Sequence, residues 1–334
     1  MCATSPPFWR LRDYNVEGQL GMEATPEEYV ERLVGIFAEV RRVLKPRSVV
    51  FLNLGDSYAS GKGTCHNPGG GEESLGVAKR KEVGAYPLDR GNVSTLRESG
   101  VKPKDLVGIP WRVAFALQAD GWWLRNDVVW AKPNPMPESV KDRFSTTYEH
   151  VFLLAKQKRY WFDLDAVREE HTTDRLPGNR QKDRESTLMT RRPTNRDALH
   201  PLGKNPGDVW RIVTQPTPYA HFATWPEALV ERMLKAGCPP QVCSECGEPW
   251  EHRVEKRRIL EHGRKQIGLG NTTEIPLTTH GQGATSLHHE ITIRDLGYHP
   301  ACRCQEHLPK SVPGTVLDPF VGSGTTTQVA RKLG

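Results

Sequence analysis

The chain has 334 residues, with 46 Lys and Arg against 40 Asp and Glu, a formal net charge of +6 and a pI near 8.9. This length accommodates one large domain or two modest ones, and the charge fits a polyanionic partner without requiring one. A hydrophobic content of 37% is low and predicts long polar loops. The sequence contains no apolar run of membrane-spanning length and no signal peptide before residue 4, and its 7 cysteines are an odd number. These features argue against a membrane or secreted protein and favour a cytoplasmic one.

The first motif, Thr4-Ser5-Pro6-Pro7-Phe8, joins a hydroxyl and an aromatic ring through a stiff backbone. Two prolines fix two φ angles and remove two backbone donors, and the residue before them is pushed towards an extended conformation. The segment suits a planar ring that carries an amino group. Such a ring would stack on Phe8, while its amino hydrogens donate to Ser5 and to a proline carbonyl. A lone SPPF is also typical of an ordinary proline turn.

A polar-aromatic loop is predicted at residues 9–14, where Arg10, Arg12 and Asp13 either contact nucleic acid or are solvated. Thr25 then begins a helix, because Pro26 fits a first turn and Glu28 completes a capping box. Lys45-Pro46 ends this helix. Its apolar positions follow helical spacing and are predicted to pack on a sheet: Val30, Leu33, Val34, Phe37, Val40 and Leu44.

A buried strand is predicted at residues 48–54, and polar residues follow it. Ligands of open α/β sheets bind at the carboxyl ends of strands. Asp56 is therefore a candidate contact for a cofactor or a base, with an ordinary turn residue as the alternative. Residues 60–103 are rich in Gly, Lys, Arg and Ser and predict a long mobile loop.

The next predicted elements are a helix over residues 104–120, perturbed in its first turns by Pro110, and a strand over 122–130. Residues 148–154 and 159–162 are predicted to form an antiparallel pair. Residues 168–205 are polar and arginine-rich, and a disordered insertion is one interpretation of them. Thr224 is expected to cap a helix whose first turn holds Pro226 and Glu227, with Gly237 beyond its end.

Two close cysteine pairs, Cys243-x2-Cys246 and Cys302-x-Cys304, bracket residues 247–301. In a reducing compartment such pairs fit a tetrahedral thiolate zinc site, with free thiols as the alternative. The intervening stretch has little core, so we expect zinc to hold its ends together as a small insertion over 243–304. No glutamate-centred deaminase signature accompanies the cysteines, which argues against catalytic zinc. Cys65 and Cys238 are interpreted as ordinary thiols.

The last motif spans residues 316–325, VLDPFVGSGT, and predicts a strand, a glycine turn and a helix N-terminus. This geometry brings backbone close to a nucleotide-like ligand. The motif is not a Walker loop, because no Lys-Ser/Thr follows its glycines, and it does not fit Gly-x-Gly-x-x-Gly.

Together, TSPPF and LDPFVGSGTT resemble the amino-methyltransferases of DNA, and their order is similar to the permuted beta group of that family. The runs KDLVGIPWRVAFAL and DVVWAKPNPMPES extend the resemblance, as does HFATWPEAL, which is similar to the segment lining the methionine end of the cofactor pocket. The resemblance implies that the catalytic residues are Ser5, Pro6, Pro7 and Phe8. It implies that S-adenosylmethionine is bound by Thr4, Asp56, His221, Phe222, Thr224, Pro226, Asp318, Pro319, Phe320, Gly322, Ser323, Gly324 and Thr325.

The implied fold is an α/β, Rossmann-like methyltransferase domain with a mostly parallel sheet, one antiparallel hairpin and helices on both faces. Residues 1–167 would form its catalytic half, 168–205 the target-recognition segment, 206–242 the cofactor-pocket helix region and 312–334 the cofactor-binding strand, loop and helix. Zinc is assigned to Cys243, Cys246, Cys302 and Cys304.

The implied chemistry is methyl transfer to the exocyclic amino group of a flipped base in double-stranded DNA. Serine before Pro-Pro leans towards cytosine N4, with adenine N6 as the alternative. A companion restriction endonuclease is a further implied partner. A zinc-containing DNA-binding protein without catalysis, and a methyltransferase acting on RNA or protein, are competing hypotheses. Only three residues precede Thr4, and no acidic residue for the ribose hydroxyls follows the last helix. We therefore expect the chain to be a fragment, with weak cofactor binding and poor activity on its own.

Overall fold

The computed structural model describes residues 1–14, 16–59, 65–66, 101–171, 200, 202–215, 225–261, 288–304 and 310–334. The chain divides into two compact units. The first comprises Met1–Val167, Pro206–Trp250 and Pro300–Gly334, and the second comprises Arg168–Asn205 and Glu251–His299. None of the helices in the described ranges has the length and apolar character needed to cross a membrane.

The first unit is built on a mixed sheet. The described strands of this unit are β1 (Cys2–Thr4), β2 (Val49–Leu54), β3 (Tyr58–Ala59), β4 (Cys65–His66), β5 (Trp123–Ala131), β6 (Tyr148–Ala155), β7 (Val209–Arg211), β8 (Val242–Cys243) and β11 (Ser311–Val312). Five of them form one sheet in the order β1-β2-β6-β5-β7. The β1–β2 and β5–β7 pairs are parallel, and β6 is antiparallel to both of its neighbours. Four of these five strands therefore run in one direction, which confirms the mostly parallel sheet.

The last motif, residues 316–325, lies beside β1 on the edge that does not pair with β2. Leu317 forms an isolated parallel bridge with Cys2. The Ala3 amide donates to the Leu317 carbonyl at 3.1 Å, and the Leu317 amide donates to the Met1 carbonyl at 2.9 Å. The predicted strand before the glycine turn is thus one bridge rather than a full strand. This bridge is enough to align the end of β1 with Asp318.

In the part of the chain that the structure describes, four helices cover the sheet: α1 (Pro26–Val43), α2 (Ile109–Ala119), α3 (Glu227–Gly237) and α4 (Thr325–Leu333). The start of α1 is as predicted, because Thr25 and Glu28 form both hydrogen bonds of a capping box. The predicted start of α2 at residue 104 is wrong. Lys104 and Gly108 have φ angles of 74° and 76°, which a right-handed helix excludes, and the helix begins at Ile109 with Pro110 in its first turn.

Alternate residues of β2 enter two separate cores, as expected for a sheet with helices on both faces. Val50, Leu52 and Leu54 pack with residues of α1 and α2, whereas Val49 and Phe51 pack with residues of α3 and α4. Gly237 is the last residue of α3, not a residue beyond its end as predicted. A Cβ on Gly237 would lie 2.8 Å from both Phe51 and Val49 side chains, so the close packing of α3 on the sheet requires glycine.

The antiparallel partner predicted for residues 148–154 is also wrong. Both edges of β6 are occupied by β2 and β5, so no edge remains for residues 159–162. That segment instead buries Trp161, whose amide donates to the Arg47 carbonyl at 3.0 Å and whose indole N–H donates to the Trp250 carbonyl at 3.0 Å. The hairpin exists, but β5 and β6 form it.

The described part of the second unit contains a long antiparallel ribbon, β9 (Glu251–Glu261) with β10 (His288–His299). The rings of His252 and Tyr298 stack at 4.8 Å, and His252 Nε2 lies 3.0 Å from Asp295 Oδ1. This ribbon was not predicted from the sequence. Of the predicted loop over 60–103 only residues 65–66 and 101–103 lie among the described residues, and most of the 168–205 segment also falls outside them.

Candidate active site

Asp318 joins the two sequence motifs into one site. Its Oδ1 accepts from Thr4 Oγ1 at 2.5 Å and from the Phe320 amide at 3.0 Å. Its Oδ2 accepts from Thr326 Oγ1 at 2.6 Å. One carboxylate thus fixes the end of β1, the turn and the first turn of α4 relative to one another. Thr4 and Asp318, 314 positions apart in the chain, therefore belong to a single site.

The glycine turn presents an open helix N-terminus. Gly322 and Gly324 have φ angles of 50° and 85°, in the left-handed region that favours glycine. Gly324 precedes α4 and offers no side-chain cap, and no described atom lies within 4 Å of where its Cβ would be. Ser323 Oγ and Thr325 Oγ1 lie 3.3 Å apart beside the turn, and Pro319 is exposed. Amides at a helix N-terminus that can be approached closely fit the polar groups of a nucleoside cofactor.

The remaining cofactor residues are only partly described. Phe320 packs against the core that includes α1, and Pro226 is the residue before α3 and is buried. His221, Phe222 and Thr224 lie outside the described residues. Pro226 is the N-cap of α3, so the prediction that Thr224 caps this helix, with Pro226 in its first turn, is wrong.

Ser5 follows β1 directly, where the parallel register places it beside the end of β2. Its hydroxyl donates to Asn53 Oδ1 at 3.0 Å. Asn53 is only 2% exposed and lies in an otherwise apolar strand. Asn53 was not among the site residues predicted from the sequence. The signal that could have found it is a buried amide in an apolar run, since such a group needs hydrogen-bond partners.

The aromatic ring of Phe8 lies against the backbone of Gly55. A Cβ on Gly55 would be 2.6 Å from Phe8 Cε2, so the ring position depends on the absence of a side chain there. Tyr29 Oη donates to the Pro7 carbonyl at 2.8 Å and fixes the second proline. The described residues donate no hydrogen bond to the carbonyl of the buried Pro6.

Asp56 has a structural task at the start of α2. Its carboxylate accepts from the backbone amides of Ser57 at 2.8 Å, Gly108 at 3.0 Å and Ile109 at 3.1 Å. Burial raises the pKa of Asp56, and these backbone hydrogen bonds oppose that shift. The carboxylate replaces the side-chain cap that Gly108 cannot supply. Its contact with the cofactor stays a prediction.

The loop after Phe8 is not merely solvated. Trp9 is 1% exposed, and its indole N–H donates to the Glu23 carbonyl at 3.0 Å. Arg10 donates to the same carbonyl at 3.3 Å. Burial lowers the pKa of Arg12, and electrostatic interactions with Tyr14 and Glu149 oppose this shift. Asp13 is exposed.

The structure brings together all four cysteines of the predicted metal site, although 58 residues lie between Cys243 and Cys302 in the sequence. The Sγ atoms of Cys243, Cys246, Cys302 and Cys304 all lie within 4.8 Å of one another, and each is a free thiol. The backbone amides of Glu245 and Cys246 hydrogen-bond to the Cys243 sulfur. Gly247, with a φ of 71°, donates its amide to the Cys243 carbonyl at 2.9 Å and closes the turn around the first pair. The arrangement can hold one soft metal ion through four thiolates.

Known proteins provide the final observations on this site. A family model described as DNA methylase (N6_N4_Mtase) matches residues 1–242. The Type II methyltransferase M.Cfr9I of Citrobacter freundii is 38% identical over 237 residues, which cover 71% of this chain and 65% of that protein. The Type II methyltransferase M.SfiI of Streptomyces fimbriatus is 32% identical over 371 residues, which cover 99% of this chain and 80% of that protein. The solved PvuII DNA methyltransferase (cytosine-N4-specific) aligns with a TM-score of 0.41 and 16% identity over 72% of this chain and 64% of that chain.

Proposed function

The chain belongs to the N6/N4 DNA methylase family, and on that premise we propose that it methylates the exocyclic amino group of a DNA base, with cytosine N4 favoured over adenine N6. The proposed methyl donor is S-adenosylmethionine. The observation that carries the proposal is the junction of Thr4 with Asp318, which joins the TSPPF segment to the glycine turn in one site. The matched region spans about two thirds of M.Cfr9I, so activity, substrate and partners are all part of the proposal.

Ser5, the Pro6 carbonyl and Phe8 would hold the acceptor base. Ser5 Oγ and the Pro6 carbonyl accept hydrogen bonds from the amino group, and the Phe8 ring stacks on the base. The base must leave the duplex first, because its amino group is otherwise paired. When bound, the cofactor supplies an activated methyl group on its sulfonium. The work left to the protein is positioning, and three fixed contacts on a planar ring provide it.

The cofactor would lie against the glycine turn. Gly322, Ser323 and Gly324 offer close backbone approach, and the amides at the start of α4 offer donors. Asp318 keeps this turn beside Ser5 through its bond to Thr4. The motif order, with TSPPF before LDPFVGSGTT, supports the permuted beta arrangement. Residues 168–205 are the proposed target-recognition segment, and a companion endonuclease is the proposed partner.

The choice of cytosine rests on Ser5 as the residue before the two prolines, and adenine N6 is the alternative. Duplex DNA containing all four bases is incubated with the protein and S-adenosylmethionine, digested to nucleosides and analysed by mass spectrometry. We expect N4-methyldeoxycytidine, and its loss in Ser5→Ala. N6-methyldeoxyadenosine would establish the alternative. Methylation of RNA or protein instead of DNA, or of none of them, would overturn the proposal.

We also propose that Cys243, Cys246, Cys302 and Cys304 hold a structural zinc ion. A tetrahedral zinc with Zn–S bonds near 2.3 Å needs sulfur atoms about 3.8 Å apart, which agrees with four Sγ atoms within 4.8 Å. β8 and β11 pair beside the cluster, at Cys243 and Ser311. Zinc would therefore lock the two chain segments that flank the insertion in sequence.

Elemental analysis tests the zinc proposal. We expect one zinc per chain, lost in Cys243→Ser and retained in the matched control Cys238→Ser, since Cys238 is outside the cluster. Removing zinc with a chelator should lower the melting temperature. A metal-free wild-type protein whose melting temperature is unchanged by added zinc would contradict this assignment.

A further inference from the structure

We infer that Asn53, Glu149 and Lys132 form a positioning chain that fixes the direction of the Ser5 hydroxyl hydrogen bond and so makes Ser5 an acceptor for a substrate amino group. The inference rests on the proposed function, because it concerns how Ser5 meets the base. None of the three residues belongs to either sequence motif.

The orientation of the Asn53 amide follows from its partners. Its Nδ2 donates to Glu149 Oε2 at 3.0 Å and to the His150 carbonyl at 3.1 Å. A carboxylate and a backbone carbonyl can only accept, so the NH₂ end of the amide must face them. The carbonyl end, Oδ1, is then the end that lies 3.0 Å from Ser5 Oγ.

This orientation decides what Ser5 offers to a ligand. Oδ1 of Asn53 cannot donate, so the Ser5 hydroxyl must donate its only hydrogen to it. The lone pairs of Ser5 Oγ remain, and they can accept from an amino group but offer no hydrogen to it. A freely rotating hydroxyl would present either polarity. Because Asn53 is 2% exposed, water competes poorly for this bond.

Lys132 is the last residue in this series of hydrogen bonds that begins at Ser5. It forms an ion pair with Glu149 Oε1, the oxygen that Asn53 does not use, and the two side chains are 21% and 17% exposed. Each oxygen of Glu149 thus has its own donor. From Lys132 through Glu149 and Asn53 to Ser5, every contact therefore joins one donor to one acceptor.

Reversing the polarity of the two middle groups tests the inference. Asn53→Asp alone sets a second carboxylate against Glu149. Glu149→Gln alone replaces one acceptor oxygen by an NH₂ group, so a donor then faces either Asn53 or Lys132. In Asn53→Asp/Glu149→Gln the order from Lys132 to Ser5 is restored, because the carboxylate introduced at position 53 accepts from Ser5 and from the amide introduced at position 149, whose oxygen accepts from Lys132. The His150 carbonyl still loses the donor that Asn53 supplied, so the recovery is partial. We expect each single change to lower kcat for methyl transfer about tenfold or more, with cofactor Kd unchanged. The double variant should be several-fold faster than either single variant.

Asn53→Ala/Glu149→Gln is the matched control, because it leaves Ser5 without its acceptor and should stay slow. It also decides the case in which Asn53→Asp alone does not fold. Melting temperatures are measured in parallel, since a purely structural role would make kcat follow stability. Additive losses in an active protein, or equal activity of the two double variants, would overturn this inference alone. A wild-type protein that transfers no methyl group to DNA would overturn the proposed function as well.

Discussion

Gly55→Ala gives a sharp test of the site geometry, because one methyl group should displace the ring of Phe8. The added Cβ would lie 2.6 Å from Phe8 Cε2 and 2.9 Å from Cδ2. Favourable carbon–carbon contacts are about 3.5–4.0 Å, so the ring must move by roughly 1 Å. Phe8 is only partly buried and can move, whereas the backbone at the buried Gly55 cannot.

The expected effect is much larger on catalysis than on stability. A misplacement of about 1 Å can cost on the order of a hundredfold in rate, whereas overpacking costs about 1–3 kcal/mol in free energy of unfolding. We expect kcat for methyl transfer to duplex DNA to fall about 10- to 100-fold. The cofactor Kd, measured by titration calorimetry, should change little, because the contacts of Asp318 are untouched.

Two companion variants make the result decisive. Gly35→Ala is the matched control, since no described atom lies within 4 Å of its Cβ position on α1, and it should leave kcat unchanged. Phe8→Ala removes the ring, so adding Gly55→Ala to it should cost nothing further. Full activity of Gly55→Ala, or a further loss in the double variant equal to its loss in wild type, would refute the assignment of Phe8 as a positioned stacking surface.

Three other substitutions are expected to separate site geometry from fold stability. Tyr29→Phe removes the donor to the Pro7 carbonyl and should lower the free energy of unfolding by about 1 kcal/mol and the rate several-fold, as measured by denaturation and methyl transfer; unchanged values would show that this bond does not hold the prolines. Asp318→Ala removes the acceptor shared by Thr4 and the turn, and should cost about 2–3 kcal/mol and weaken cofactor binding in calorimetry; unaltered affinity would count against the turn as the cofactor site. Asp56→Ala should lower the free energy of unfolding by about 1–2 kcal/mol, because α2 loses its cap, whereas Asp56→Asn should retain most of the stability. A cofactor Kd that stays at the wild-type value would leave Asp56 with its structural role alone.

The local signals in the sequence determined the elements and the family. The capping box at Thr25 sets the start of α1, because both partners lie within one turn of chain. The glycines at 322 and 324 mark a turn for the same kind of local reason, since both adopt positive φ angles. The two motifs and the two cysteine pairs were equally visible, because their residue types and spacing carry the chemistry. The family match confirms the resemblance that the motifs indicated.

Errors arose where a residue's environment depends on distant chain. The start of α2 was placed too early, because apolar spacing continues through Leu106, which the structure leaves half exposed before the turn at Gly108. The partner of β6 was misassigned, because sequence neighbours suggest a hairpin with residues 159–162, whereas β2 and β5 already occupy both edges. Strand pairing is a non-local choice that local periodicity does not encode.

What the sequence alone determined is which groups are present: a hydroxyl before two prolines, an aspartate before a glycine turn, and four cysteines in two pairs. Only the tertiary structure decided which of them meet and what faces them. Thr4 reaches Asp318 because β1 and Leu317 pair at the edge of the sheet. Ser5 reaches Asn53 because β1 and β2 are parallel and in register. A hydrogen bond needs two atoms within about 3 Å, and only the packing of strands far apart in sequence can bring these atoms to that distance.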